Sequence, residues 1–225
     1  MIPWELLDSA PVPGGDETLC LYRRGGEFSI RVNGCELMNS RAHGSEDALA
    51  ERTCVKIADR PTPQVLIGGL GMGFTLAAAL HRLSAESRVL VAELVPAVVT
   101  WNQGPLADLA GHPLEDSRVS VRVIDVARIL KTDQQAYDAI MLDVDNGPDG
   151  LTKTGNDWLY TKAGLNATHA ALKPAGILAI WSASPNPAFA KLLSLTGFTA
   201  AEITVRAKGN KGGRRHIIWL AERRA

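Results

Sequence analysis

The chain has 225 residues, 46% of them hydrophobic, enough for one sizeable core with a small appendage. Its 24 lysines and arginines balance 24 acids, so no global field draws nucleic acid or an anionic membrane. No apolar run approaches the length that spans a bilayer, and Met1-Ile-Pro-Trp-Glu-Leu-Leu-Asp8 lacks the basic start and apolar core of a signal peptide, so the expected compartment is the cytoplasm.

Residues 1 to 60 read as a small β-unit with a helix, and residues 61 to 225 as the main domain. Thr18–Tyr22, Glu27–Val32 and Cys35–Met38 are short strand-like runs, and Asn33-Gly34 between two of them is a strong hairpin signal. A polar stretch follows, in which Ser45 is placed to cap a helix through Ala48–Val55. Arg60-Pro-Thr-Pro63 marks the boundary.

From there strand and helix alternate, with strands expected at 64–69, 88–94, 119–125, 137–143 and 176–182. That order implies an α/β fold, a mostly parallel sheet covered on both faces. Lys173-Pro-Ala-Gly176 reads as a helix stop and turn before the fifth of these strands. Thr199–Ala207 and His216–Ala221 have no helix between them, so they are expected to close the sheet as an antiparallel hairpin.

The chemistry is expected at the carboxyl ends of the parallel strands, where open α/β sheets bind ligands. Gly68, Gly69, Gly71 and Gly73 stand between the strand at 64–67 and the helical Leu76–Leu80, the arrangement that lets a backbone approach a nucleotide-type ligand. The next strand ends in Glu93, about twenty residues on, where a carboxylate can accept both hydrogen bonds of a ribose diol. The third ends in Asp125, suited to an exocyclic amine, and the fourth in Asp143, followed by Asp145. A single acid at a strand end is an ordinary helix cap; three on successive ends beside a glycine turn point to a ligand.

These segments resemble the successive motifs of class I AdoMet-dependent transferases, a Rossmann-like fold, and most closely those of the spermidine synthase (polyamine aminopropyltransferase) family. Tyr137-Asp-Ala-Ile-Met-Leu-Asp143 with Leu159-Tyr-Thr-Lys162 is similar to that family's catalytic loop and following helix, and Glu93-Leu-Val-Pro and Pro113-Leu-Glu-Asp-Ser-Arg-Val119 match its style. The resemblance implies Glu93 on the ribose, Asp125 on the adenine and Asp143 orienting the attacking amine. The family's glycine loop reads GGGDGG, its acid helping to bind the aminopropyl group of decarboxylated AdoMet. Here Gly71 occupies that place, and Val144-Asp-Asn-Gly-Pro148 replaces the family's Ser-(Thr/Ser)-Asp-Pro.

Both departures lead to the expectation of an AdoMet-dependent methyltransferase of this type, because a glycine removes a carboxylate that would repel the donor's own. The acceptor is expected to be an amine of a small molecule or amino acid, and the product S-adenosylhomocysteine. Asp143 or Asp145 would take the proton, with His43 as a third candidate base or pocket residue. The alternatives are an aminopropyltransferase using decarboxylated AdoMet, an NAD-dependent oxidoreductase, and a non-catalytic binding protein; against the oxidoreductase, Gly69, Gly71 and Gly73 give G-x-G-x-G and not G-x-G-x-x-G.

No metal is expected, since Cys20, Cys35 and Cys54 form no CxxC pair and read as free thiols. No membrane or nucleic-acid partner is expected either, with the basic Lys208–Arg215 loop read as a solvated turn; a homodimer is compatible. Trp101 and Trp158 are read as packing.

Overall fold

A computed structural model describes residues 2–144, 147 and 157–224. Four strands come first, β1 (Glu5–Pro11), β2 (Thr18–Arg24), β3 (Glu27–Val32) and β4 (Cys35–Asn39), paired antiparallel in chain order. Between β3 and β4, Asn33 and Gly34 take φ of 50° and 78°, the left-handed pair a tight hairpin needs. Leu19, Leu21, Ile30 and Val32 point from this sheet into the core. β1 is an addition to the sequence expectation. Its residues do not alternate, most are exposed, and it is tied down by Trp101, whose Nε1 donates to Asp8 Oδ2 at 2.7 Å.

Helix α1 (Gly44–Lys56) follows, with His43 at its N-cap and no side-chain cap bond. Ser45 therefore does not cap the helix as expected; it lies inside the first turn. The entry is set instead by the far end of the chain. Gly44 N–H donates to the Ala207 carbonyl at 2.8 Å. A Cβ on Gly44 would meet Gly209 N at 2.3 Å, so only glycine allows this approach.

The second sheet has seven strands in the order β10-β11-β9-β8-β5-β6-β7. These are β5 (Gln64–Gly68), β6 (Arg88–Glu93), β7 (Val119–Val123), β8 (Tyr137–Leu142), β9 (Leu172–Ser182), β10 (Phe198–Arg206) and β11 (Arg215–Arg223). β5 to β9 run parallel, while β11 lies antiparallel between β9 and β10, so the terminal hairpin is present as expected. The expected turn at 173–176 falls within β9. Tyr137 pairs with Leu172 and Ala139 with Ile177, so Lys173–Gly176 bulges out, with Ala175 at φ 55°.

Helices α2 (Phe74–Arg82), α3 (Pro96–Gln103), α4 (Val126–Thr132), α5 (Lys162–Ala171) and α6 (Pro187–Leu195) cover the sheet. Along β5, Val65 and Ile67 enter one apolar cluster with Leu49, Leu76 and Trp101, which Leu21 and Ile30 of the first sheet join. Leu66 enters the other, with Ile129, Leu165 and Phe189. Burying a side chain of this size contributes about 1.5–3 kcal/mol, so the two-sided core fixes where β5 and its neighbours end. The strand order reverses at β5, which pairs with β6 on one side and β8 on the other. Loops diverge there and leave a crevice.

Candidate active site

The crevice is floored by the glycine turn. Gly69, Gly71 and Gly73 all have positive φ, 88°, 54° and 83°. Gly69 N–H donates to the Ala92 carbonyl and Asp143 N–H to the Gly68 carbonyl, both at 2.9 Å, tying the ends of β5, β6 and β8 together. Gly73 is the N-cap of α2. The turn is held from behind by Asn102, whose Nδ2 donates to the Gly71 and Val98 carbonyls at 2.8 and 2.9 Å. Sequence reasoning missed Asn102. The available signal was a buried amide in an otherwise apolar stretch of α3.

Glu93 closes β6 and is 7% exposed. Its carboxylate accepts from Leu70 N–H at 2.8 Å and Val95 N–H at 2.9 Å, so it joins the glycine turn to the entry of α3. Burial pushes its carboxyl up, and those backbone donors oppose the shift. Asp125 caps α4, accepting from Ala127 N–H at 2.8 Å. It is thus a helix cap and a crevice residue together.

Gly69, Gly71, Glu93, Asp125 and Asp143 line one cavity of about 220 Å³. Most of its remaining wall is apolar, and the first sheet supplies part of it through Leu19, Ile30 and Met38. Gly68 ends β5 just behind, its Cα packed toward Val126 and Leu142.

Asp143 lies one residue beyond β8 and accepts from the Thr75 hydroxyl at 2.6 Å. Desolvation raises its carboxyl above the ordinary range, with Thr75 opposing. A second carboxylate faces it that the sequence reading missed. Glu46, from the first turn of α1, is pushed up to about 8 by burial and by the charge of Asp143. Glu46 Oε2 accepts from the Ser45 hydroxyl at 2.6 Å, and Ser45 Oγ lies 3.0 Å from His216 Nδ1 on β11.

Other candidates fall elsewhere. His43 stacks on Phe74, ring centroids 4.1 Å apart, and pairs with Asp47 at 2.8 Å; it is not among the residues lining the cavity. Asp145 lies outside the described residues. Trp101 is buried packing, and Trp158 lies under Lys131 at 4.4 Å. The 208–215 segment is the β10–β11 turn. Among the described residues no group of three His, Cys, Asp or Glu side chains could hold a metal, and no helix is long and apolar enough to cross a membrane.

Residues 54–193 match the spermine/spermidine synthase domain. The chain is 28% identical over 127 residues to a polyamine aminopropyltransferase of Saccharolobus solfataricus, covering 56% of this chain and 41% of that one. It is 30% identical over 133 residues to polyamine aminopropyltransferase 2 of Pseudomonas aeruginosa, covering 54% and 34%. The chain thus matches less than half the length of these curated relatives. In fold it superposes on the spermidine synthase of Thermotoga maritima with a TM-score of 0.75 at 17% identity, covering 96% of this chain and 72% of that one.

These matches overturn the expectation of a methyltransferase. The family and both curated relatives are aminopropyltransferases. The structure also removes the reason for that expectation. Glycine at 71 has a steric cause of its own, because a Cβ there would stand 2.9 Å from Met38 Cε and 3.0 Å from its Sδ. With φ at 54°, the turn favours glycine whatever the donor.

Proposed function

The chain belongs to the spermine/spermidine synthase family, and from that membership we propose that it transfers an aminopropyl group from decarboxylated AdoMet to a small polyamine-type amine. The observation that carries the reading is the cavity in which the glycine turn, Glu93, Asp125 and Asp143 meet.

The residues fit the donor. Glycine backbone without side chains gives a nucleoside close access at the switch point, and the floor is one that a Cβ would fill, since at Gly69 it would lie 2.4 Å from the Asp143 carbonyl. Glu93 and Asp125 offer acceptors to a ribose and an adenine amine. The apolar wall excludes water from the sulfonium, which strengthens electrostatic interactions inside.

Transfer needs a neutral amine in line with the carbon next to sulfur. The amine nitrogen bonds to that carbon, the carbon–sulfur bond breaks, and its electron pair stays on sulfur as methylthioadenosine leaves. Asp143 orients the amine and takes the proton that the new C–N bond makes acidic. Burial raises its carboxyl and so strengthens it as a proton acceptor.

The test is to incubate the chain with either AdoMet or its decarboxylated form and a panel of di- and polyamines. Methylthioadenosine release with the decarboxylated donor is the expected result. S-adenosylhomocysteine release from AdoMet, or no product with any amine, would overturn the proposal.

A further inference from the structure

The geometry points to Glu46 of α1 as the carboxylate that receives the terminal ammonium of the donor's aminopropyl chain, in place of an acid on the glycine turn. This rests on the aminopropyl-transfer reading above and adds the residue that selects the decarboxylated donor.

Beside the main cavity lies a smaller one of about 10 Å³, lined by Glu46, Asp143, Thr75, Gly71 and Met38. That volume suits a single water-sized group, which is the size of an ammonium. Met38, Gly71 and Asp143 line both cavities, so a chain leaving the nucleoside site past Gly71 arrives between the two carboxylates.

The charges there are unbalanced. Among the described residues, neither Glu46 nor Asp143 forms a salt bridge. Each instead accepts from a neutral hydroxyl, Ser45 for Glu46 and Thr75 for Asp143. Two desolvated carboxylates without a counter-ion repel, and a cation placed between them relieves both. An intact amino-acid group would bring a third carboxylate to the same place.

The turn itself is a poor place for this acid. A side chain on Gly71 would have to displace the Met38 thioether and accept a φ of 54°. Glu46 reaches the spot from the opposite wall. Ser45, fully buried, is held in turn by His216, so the carboxylate is oriented from β11.

The experiment is calorimetry of the full chain and its Glu46→Gln variant with two ligands. Decarboxylated AdoMet carries the aminopropyl ammonium; methylthioadenosine keeps the nucleoside and lacks the chain. Glu46→Gln is expected to weaken decarboxylated AdoMet by about 10–100-fold and to change methylthioadenosine by less than about twofold, the loss of a charged hydrogen-bond partner being of that order. An equal loss for both ligands would make Glu46 structural, and no loss for either would remove it from the site; each overturns the inference. Should Glu46→Gln fail to fold, Glu46→Asp keeps the charge and shortens its reach. It should then show the same selective loss, and equal effects on the two ligands would again overturn it. A wild type that binds methylthioadenosine but prefers intact AdoMet would bring down the aminopropyl reading as well, whereas a wild type that prefers the decarboxylated donor with an unaffected Glu46→Gln brings down this inference alone.

Discussion

A Cβ built on Gly69 stands 2.4 Å from the carbonyl oxygen of Asp143, so the floor of the crevice and the proposed base are locked backbone to backbone. Neither side can yield by turning a side chain. Gly69→Ala should therefore destabilise the chain by about 1–3 kcal/mol, the scale of strain at a positive φ, and more if the β8 end is pushed aside. Urea unfolding measures the loss. Methylthioadenosine binding should fall with it, because the displaced strand end carries Asp143. A variant with wild-type stability and affinity would show that this turn relaxes freely.

Glu93 braces the glycine turn and is proposed to hold the ribose, and two substitutions separate these roles. Glu93→Ala strands the Leu70 and Val95 N–H groups in a buried setting, at about 1–3 kcal/mol for each donor left unpaired. Glu93→Gln retains a carbonyl acceptor and loses the charge. The alanine variant should lose both thermal stability and nucleoside affinity, whereas the glutamine variant should lose mainly affinity, by roughly tenfold. Equal affinity in wild type and Glu93→Gln, read by calorimetry with methylthioadenosine, would take Glu93 out of ligand contact and leave it as a brace of the turn.

What could be read in advance follows from how local each signal is. β5, the glycine turn and α2 are contiguous, and β6, β7 and β8 each end within a few residues of an acid, so pattern and chemistry coincide along the chain. The antiparallel end was legible because no helix separates its two runs. β1 was not, since Glu5-Leu-Leu-Asp-Ser-Ala-Pro11 does not alternate and the strand depends on Trp101 far downstream. Glu46 was hidden for a similar reason. In sequence it is an acid in the first turn of a helix, an ordinary place for one, and only the packing of α1 against the C-terminal hairpin and β8 brings it to Asp143. The methyltransferase expectation arose because a missing side chain at Gly71 suggested added room, whereas Met38 from another sheet packs against that position.

Asp143 is where the chemistry is most exposed to test. Asp143→Asn keeps the size of the side chain and can still pair with Thr75, but cannot hold the proton released by the amine. Turnover should fall by roughly 10²–10⁴-fold with methylthioadenosine affinity near wild type. Thr75→Val removes the hydroxyl that steadies the carboxylate and should lower turnover by a smaller factor while raising the pH at which activity appears, since Thr75 holds the Asp143 carboxyl down. Asp143→Asn turning over at the wild-type rate would move the base elsewhere, with Glu46 of the same small cavity the next carboxylate to test.

The Glu46–Asp143 pair also sets a pH dependence of stability in the unliganded chain. The groups around Glu46 are Asp143 at the end of β8, Asp47 on α1 with His43 paired to it, and His216 on β11 reached through Ser45. Glu46 keeps its proton in the folded chain up to about pH 8, whereas the unfolded chain releases it near 4.5. Between those values the folded state binds more protons, so this group's contribution is fully present below about 4.5 and is lost as pH rises through 8. Burial pushes His216 down, so it gains its proton only toward the acid side of that window. Wild type should accordingly lose stability between about pH 4.5 and 8. Glu46→Gln, which is neutral throughout, should lose less, and at pH 9 should be the more stable of the two by about 1–3 kcal/mol. Decarboxylated AdoMet should narrow that gap by placing its ammonium against the ionised pair. Parallel pH profiles for the two chains, measured by urea unfolding, would mean that Glu46 titrates as an ordinary surface acid and that the pair is not coupled.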